Sequence, residues 1–187
     1  MLRKILAIGL FGVCLLAIGY FAGQATAPVE SAAAPATPAE GYSVHVSAPH
    51  VVDGHTMGPY HHYCKVMTSD PQIVCLIYES TEPNAPLVQI EWMIAKKLTR
   101  PNIPHKVWNK NWHDHLLEIN SGRVKVHDLP PEEAAKVAEL AKTTDGTIYH
   151  FYTEKASPMM PTGKMTVAQA VGHLPLSKKD YDAGAKQ

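Results

Sequence analysis

Eighteen consecutive residues, Ile5 to Ala22, carry no charge. That run divides the chain before any other feature is read. As a helix rising about 1.5 Å per residue it extends roughly 27 Å, close to the roughly 30 Å hydrocarbon core of a bilayer. Arg3 and Lys4 precede it, and the next Lys or Arg is Lys65. Basic residues resist translocation and stay on the cytoplasmic side. Residues 1–23 therefore read as a signal-anchor, a transmembrane helix. The expected location is a bacterial inner membrane, crossed once, with the C-terminal domain in the periplasm. The alternative is a secretory signal cut after Ala25-Thr26-Ala27, which would give a secreted protein. Pro28 stands just beyond that cut, and its fixed φ and missing amide hydrogen oppose processing.

Residues 24–41 are mostly Ala, Pro, Thr and Ser, with Val29 the one large apolar side chain. Such a stretch cannot bury enough apolar surface to offset its ordering entropy and reads as a disordered tether. Residues 42–176 are of single-domain size. Residues 177–187 are polar and read as a flexible tail. The formal net charge is zero with His neutral, and no basic block exists, which argues against a nucleic-acid partner.

Within the domain, strand-like alternation covers 42–46, 63–67, 73–78, 87–93, 115–119, 123–126 and 147–152. Thr68 to Gln72 predicts a hairpin, and Asn120-Ser121-Gly122 a second. In 87–93 the alternation puts Val88, Ile90 and Trp92 on one side and Gln89 and Glu91 on the other. Helices are predicted over 104–112 and 131–142. The second has Pro131 in its first turn, Glu132 and Glu133 at its positive end, and Ala134, Val137, Ala138, Leu140 and Ala141 along one flank. The fold class is α+β, an antiparallel-sheet-rich domain with one or two short helices.

Histidine is the chemical resource, with 11 in the chain. His61-His62-Tyr63-Cys64 places two imidazoles and a thiol within four residues, and His113-Asp114-His115 supplies two imidazoles that share a face if extended. Glu118 follows, on the opposite face of an unbroken strand, and His150 lies mid-strand. Imidazole with thiolate suits zinc, copper or nickel; imidazole with carboxylate suits zinc, iron or manganese. The other reading is that these histidines are hydrogen-bonded core or turn residues beside Trp108 and Trp112. His45, His50 and His55 could add to a site, with nothing in the sequence to fix their geometry. Cys64 and Cys75 are nearly symmetric about the Ser69-Asp70 turn. They are either a cross-strand disulfide, favoured outside the cytoplasm, or two packed thiols. A Cys64–His nucleophile is a third possibility that bridging would exclude.

Five blocks in order resemble a known family: His61-His62-Tyr63-Cys64, Cys75-Leu76-Ile77-Tyr78-Glu79-Ser80, Leu87 to Ile94, Trp112-His113-Asp114-His115 with Glu118 and Ser121-Gly122, and Tyr149-His150-Phe151. They are similar to the oil body-associated proteins, which include seed proteins of lipid droplets and many bacterial and fungal members. The resemblance implies no established enzymatic activity or ligand, and implies a link to lipid surfaces in plants. The functional expectation is a membrane-held, non-enzymatic domain that binds a lipid surface or an apolar ligand. The alternative is a metal-binding protein or metal-dependent enzyme that uses zinc, copper or iron at His61, His62, His113, His115, Glu118 and His150.

Overall fold

The computed structural model describes residues 37–152, 160–161 and 163–186. The apolar run Ile5 to Ala22, Cys14 within it and most of the tether lie outside the described residues. Among the described residues no helix is long and apolar enough to cross a membrane.

Eight strands form one sheet: β1 (Val44–Val52), β2 (His55–Val66), β3 (Gln72–Tyr78), β4 (Leu87–Ala95), β5 (His113–Asp114), β6 (Lys125–Val126), β7 (Thr144–His150) and β8 (Thr166–Ala170). The neighbour order runs β2-β3-β4-β7-β8-β1-β6, with β5 on β7, and β1 also pairs with β2. That last pairing closes six strands into an antiparallel, barrel-like ring, so no long strand edge is left unpaired around it. Five short helices are described: α1 (Lys96–Asn102), α2 (His105–Asn111), α3 (His115–Asn120), α4 (Pro131–Lys142) and α5 (Lys178–Gly184). The sheet-rich α+β expectation holds at that level; the helices are more numerous than the one or two expected.

Local chemistry accounts for the turns that set the ring. Asp53 and Gly54 take positive φ, 48° and 85°, and join Val52 to its partner His55. An Asp-Gly pair of this kind matches the twist of two antiparallel strands. The 68–72 turn aligns β2 with β3 so that Cys64 faces Cys75. The two sulfurs are joined in a disulfide with Cα atoms 4.0 Å apart.

Three predicted elements are corrected. Residues 115–119 form no strand, and Asn120-Ser121-Gly122 ends a helix and turns no hairpin. The extended segment ends at Asp114, whose carboxylate accepts the Leu116 amide at 2.8 Å and caps α3. Side-chain capping of a free amide favours a helix start at this point. The segment 177–187, expected to fray, carries α5. Ser177 accepts the Asp180 amide at 3.2 Å, and Tyr181 is buried with its hydroxyl donating to the carbonyls of Arg100 and Ile103.

The barrel interior is divided. Val52, Tyr60, Ile77, Val88, Ile148 and Ala168 belong to the apolar core. His50, His62, Gln89, Glu91, His113 and His115 are also buried. On β4 the inward side holds Gln89, Glu91 and Met93 together with Val88, whereas Trp92 is 41% exposed.

Candidate metal centre

Two strands and one helix bring four titratable side chains to a point. Glu91 comes from β4, His113 from β5, and His115 and Glu118 from α3. The strand-to-helix switch at Asp114 is what makes this possible. His115 and Glu118 are three residues apart in a helix and share a face, which an unbroken strand would forbid.

The distances are those of a ligand set. His113 Nε2 and His115 Nε2 lie 3.3 Å apart. Glu91 Oε1 is 3.2 Å from the first and 3.1 Å from the second. Donors bound at about 2.0–2.1 Å around a tetrahedral ion are separated by about 3.3 Å. Glu118 Oε2 stands further back, 3.9 Å from His113 Nε2 and 3.8 Å from His115 Nε2. Glu91, His113 and His115 are the group among the described residues whose donor atoms all approach one another closely enough to hold an ion.

A second layer orients the first. Thr144 Oγ1 donates to the Ala141 carbonyl at 2.7 Å and so accepts from His115 Nδ1–H at 2.9 Å. This leaves the neutral ring's lone pair on Nε2, turned toward His113 and Glu91, which is how metal-ligating histidines are held. His113 Nδ1 is buried without a hydrogen-bond partner. Gly146, opposite His113 in the β5–β7 pairing, is required by crowding: a Cβ there would sit 2.5 Å from both Glu91 Oε1 and His113 Nε2.

The site's electrostatics favour positive charge. Burial alone would depress the His115 pKa, but Glu91 first and then Glu118 and Asp145 outweigh it and push it up to about 9. Burial would raise the Glu91 pKa, yet His113 and His115 hold it well below the usual carboxylate range. Burial raises that of Glu118, with His113 and His115 opposing.

His62 stands beside this set. Its Nδ1–H donates to the Tyr60 carbonyl at 3.2 Å, so its other nitrogen is an acceptor. That Nε2 is 3.8 Å from Glu91 Oε2 and 3.1 Å from His50 Nε2. Both rings are held neutral by burial first, His50 down to about 3. His50 Nδ1 reaches the Gln89 side-chain amide at 2.6 Å, and Gln89 reaches His150 Nδ1 at 3.0 Å. His150 is thus linked to His62 only through two intermediates and is not one of the converging donors.

His61 is elsewhere. Its neighbour His62 points inward, so His61 points outward and meets His45 at 2.9 Å. His45 in turn bonds Asp128 at 2.9 Å and stacks on His127 with ring centres 4.4 Å apart. His55 is exposed on β2. With Cys64 bridged to Cys75, no thiolate joins the donors, and the Cys64–His nucleophile drops out. Sequence reasoning missed Glu91 and Thr144. The signal for Glu91 was present in the Gln89/Glu91 alternation, but nothing in the sequence said that this polar side faces in.

Residues 36–180 match the family described as "Protein of unknown function (DUF1264)". The chain belongs to this family. Among curated relatives, the DUF1264 domain is similar to Oil body-associated protein 1B of Arabidopsis thaliana, 28% identical over 113 residues. That alignment covers 59% of this chain and 45% of the relative. It is also similar to Oil body-associated protein 2C of the same plant, 30% identical over 110 residues, covering 57% of this chain and 45% of the relative. These names bear out the resemblance drawn from the five sequence blocks. The alignments span about half the length of these relatives. No solved structure matches.

Proposed function

We propose that this DUF1264 domain binds a divalent transition metal through Glu91, His113 and His115, with Glu118 as a further carboxylate at the site. The observation that carries it is the 3.1–3.3 Å triangle of Glu91 Oε1, His113 Nε2 and His115 Nε2. Two imidazoles and a carboxylate suit tetrahedral zinc, or ferrous iron held on one face of an octahedron. Copper, which the Cys64 thiol would have favoured, loses its soft ligand to the disulfide. An ion here would act as a Lewis acid on an oxygen ligand.

The same proposal keeps the domain outside the cytoplasm, anchored by Ile5 to Ala22. Two features support it: the charge-free run behind Arg3-Lys4, and the Cys64–Cys75 disulfide, since such bridges persist in oxidising compartments.

A second reading, binding of an apolar ligand without an ion, is favoured by a cavity of about 110 Å³ walled by valines of β1 and β6 and by α4. The deciding experiment is elemental analysis of the full-length protein purified without a His-tag. Near one equivalent of zinc or iron is expected, lost in His113→Ala and in Glu91→Gln. A metal-free wild type whose thermal stability is indifferent both to chelator and to added zinc or iron would remove the metal reading and leave the second.

A further inference from the structure

The cavity reaches the donor set: Glu91 and His115 line it, and His113 Nε2 lies 3.2–3.3 Å from their donor atoms. His62, Glu91, His115 and Glu118 form its polar end. The remaining wall includes Val44, Val46, Ile73 and Met93 from the sheet, Ile119 from α3, and Val137 and Ala138 from α4. None of the residues of α4 is fully buried; its apolar flank lines this space with Val137, Ala138, Leu140 and Ala141, and Ala141 packs against the core.

Chemistry at the polar end restricts what enters. Glu91, His113 and His115 provide three donors, and a four-coordinate catalytic-type ion keeps its fourth position for an exogenous oxygen. Glu118 Oε2, at 3.8–3.9 Å from the two nitrogens, is set back from the 3.1–3.3 Å spacing of the triad. Among the three donors Glu91 alone carries negative charge, so the coordination sphere of a divalent ion has room for one more anionic oxygen, with Glu118 standing outside it. The acceptor nitrogen of His62 adds no donor to that end. An anionic oxygen attached to an aliphatic body satisfies both halves of the space at once, the first on the ion and the second against the valines.

We infer that the cavity binds a small aliphatic carboxylate, its carboxylate oxygen completing the coordination of the metal and its hydrocarbon lying between α4 and the sheet. The inference rests on the metal reading above and names the ligand class of that same site. The carboxylate comes from a free short-chain acid or from the end of a cleaved lipid; the shared chemistry is the same, and chain length separates the sources.

The test uses the full-length protein in phosphatidylcholine nanodiscs, with the native ion replaced by cobalt(II). Its visible bands report the coordination sphere. Acetate, hexanoate and decanoate are titrated in turn. Hexanoate is expected to shift the bands and to bind at least tenfold more tightly than acetate, because each buried methylene tightens binding about fourfold. Decanoate tighter than hexanoate marks a lipid-derived acid; decanoate weaker marks a short free acid. Ala138→Phe, which fills the α4 wall, is expected to keep one equivalent of cobalt and to erase the advantage of hexanoate over acetate. Stoichiometric cobalt whose bands ignore all three acids, as when Glu118 closes the fourth position, overturns this inference and leaves the metal reading standing. Equal affinity for acetate and hexanoate also overturns it. Cobalt that fails to bind overturns both.

Discussion

Two buried clusters of charge sit back to back on the short β5–β7 pairing, and they are built on opposite principles. On one side Asp145 accepts from Arg100 Nε and Nη2, each at 2.6 Å, from Trp108 Nε1 at 3.0 Å and from the Thr99 hydroxyl. Asp114 accepts from Lys96 at 2.8 Å and from Arg100 at 3.1 Å. Arg100 also lies over the Trp108 ring, 4.2 Å from its centre. Two cations meet two carboxylates, and the hydrogen-bonding groups face partners of the right kind. On the other side, reached by stepping one residue along each strand to His113 and Gly146, the lone-pair-bearing atoms of Glu91, His113 and His115 crowd together. Their positive partner must be a proton or a metal ion. The first cluster is finished by the chain itself. The second has no cation of the chain among its three donors, and on the proposal above an ion finishes it.

The sharpest way to break the comparison is to unbalance the closed cluster. Arg100→Met leaves Asp145 and part of Asp114 buried without their cation. Urea unfolding of the metal-free protein should show a loss of about 3–5 kcal/mol, the usual effect of orphaning a buried charge. A loss under about 1 kcal/mol would mean that the closed cluster does not hold the fold. A smaller and more selective change strikes the open cluster. Thr144→Val removes the acceptor for His115 Nδ1–H, and zinc affinity measured by competition with a chromophoric chelator should fall by roughly 10–100-fold. The same variant leaves the Arg100 network untouched, so unchanged affinity would sever the link between Thr144 and the site. The smallest effect lies in pH. The His50 pKa is lowered to about 3, below its unfolded value near 6.5. His50 therefore contributes stability that is full above the unfolded pKa and is lost as pH falls toward 3. His62, Glu91 and His113 act on it, and the Gln89 amide bonds it. Between pH 7 and pH 6 this group alone should account for under about 1 kcal/mol. Wild type and His50→Asn unfolding curves should therefore diverge less as the pH is lowered, and parallel curves would rule the contribution out.

How far these clusters were legible follows from the same contrast. Hairpin chemistry is local, so the 68–72 turn and the facing of Cys64 with Cys75 could be read from spacing. The α4 helix was legible because Pro131, Glu132 and Glu133 signal its start. His113-Asp114-His115 was visible as a ligand-like pair. What escaped depended on the third dimension. The α3 helix follows from the Asp114 cap, and Asp114 is held by Lys96 and Arg100, which are distant in the chain. Asp145-Gly146 reads as a turn, yet it lies inside β7, where the glycine makes room for the Glu91 carboxylate and the His113 ring. The inward face of β4 could not be assigned, because the ordinary rule sends the apolar side in and this strand turns Gln89 and Glu91 to the interior. Asp53-Gly54, by contrast, carried a clear turn signal that the strand reading, which stopped at Val46, passed over.

The break at Asp114 ties together parts that the chain could have kept separate. One short helix supplies a ligand atom on His115, a reserve carboxylate on Glu118 and a piece of the apolar wall on Ile119. An ion and a guest bound as proposed would therefore press on the same six-residue lever. An insertion or deletion in the loop that follows Asn120 would be felt at both ends of it, so loop length there is expected to be far less free to drift than in the turns on the outer rim.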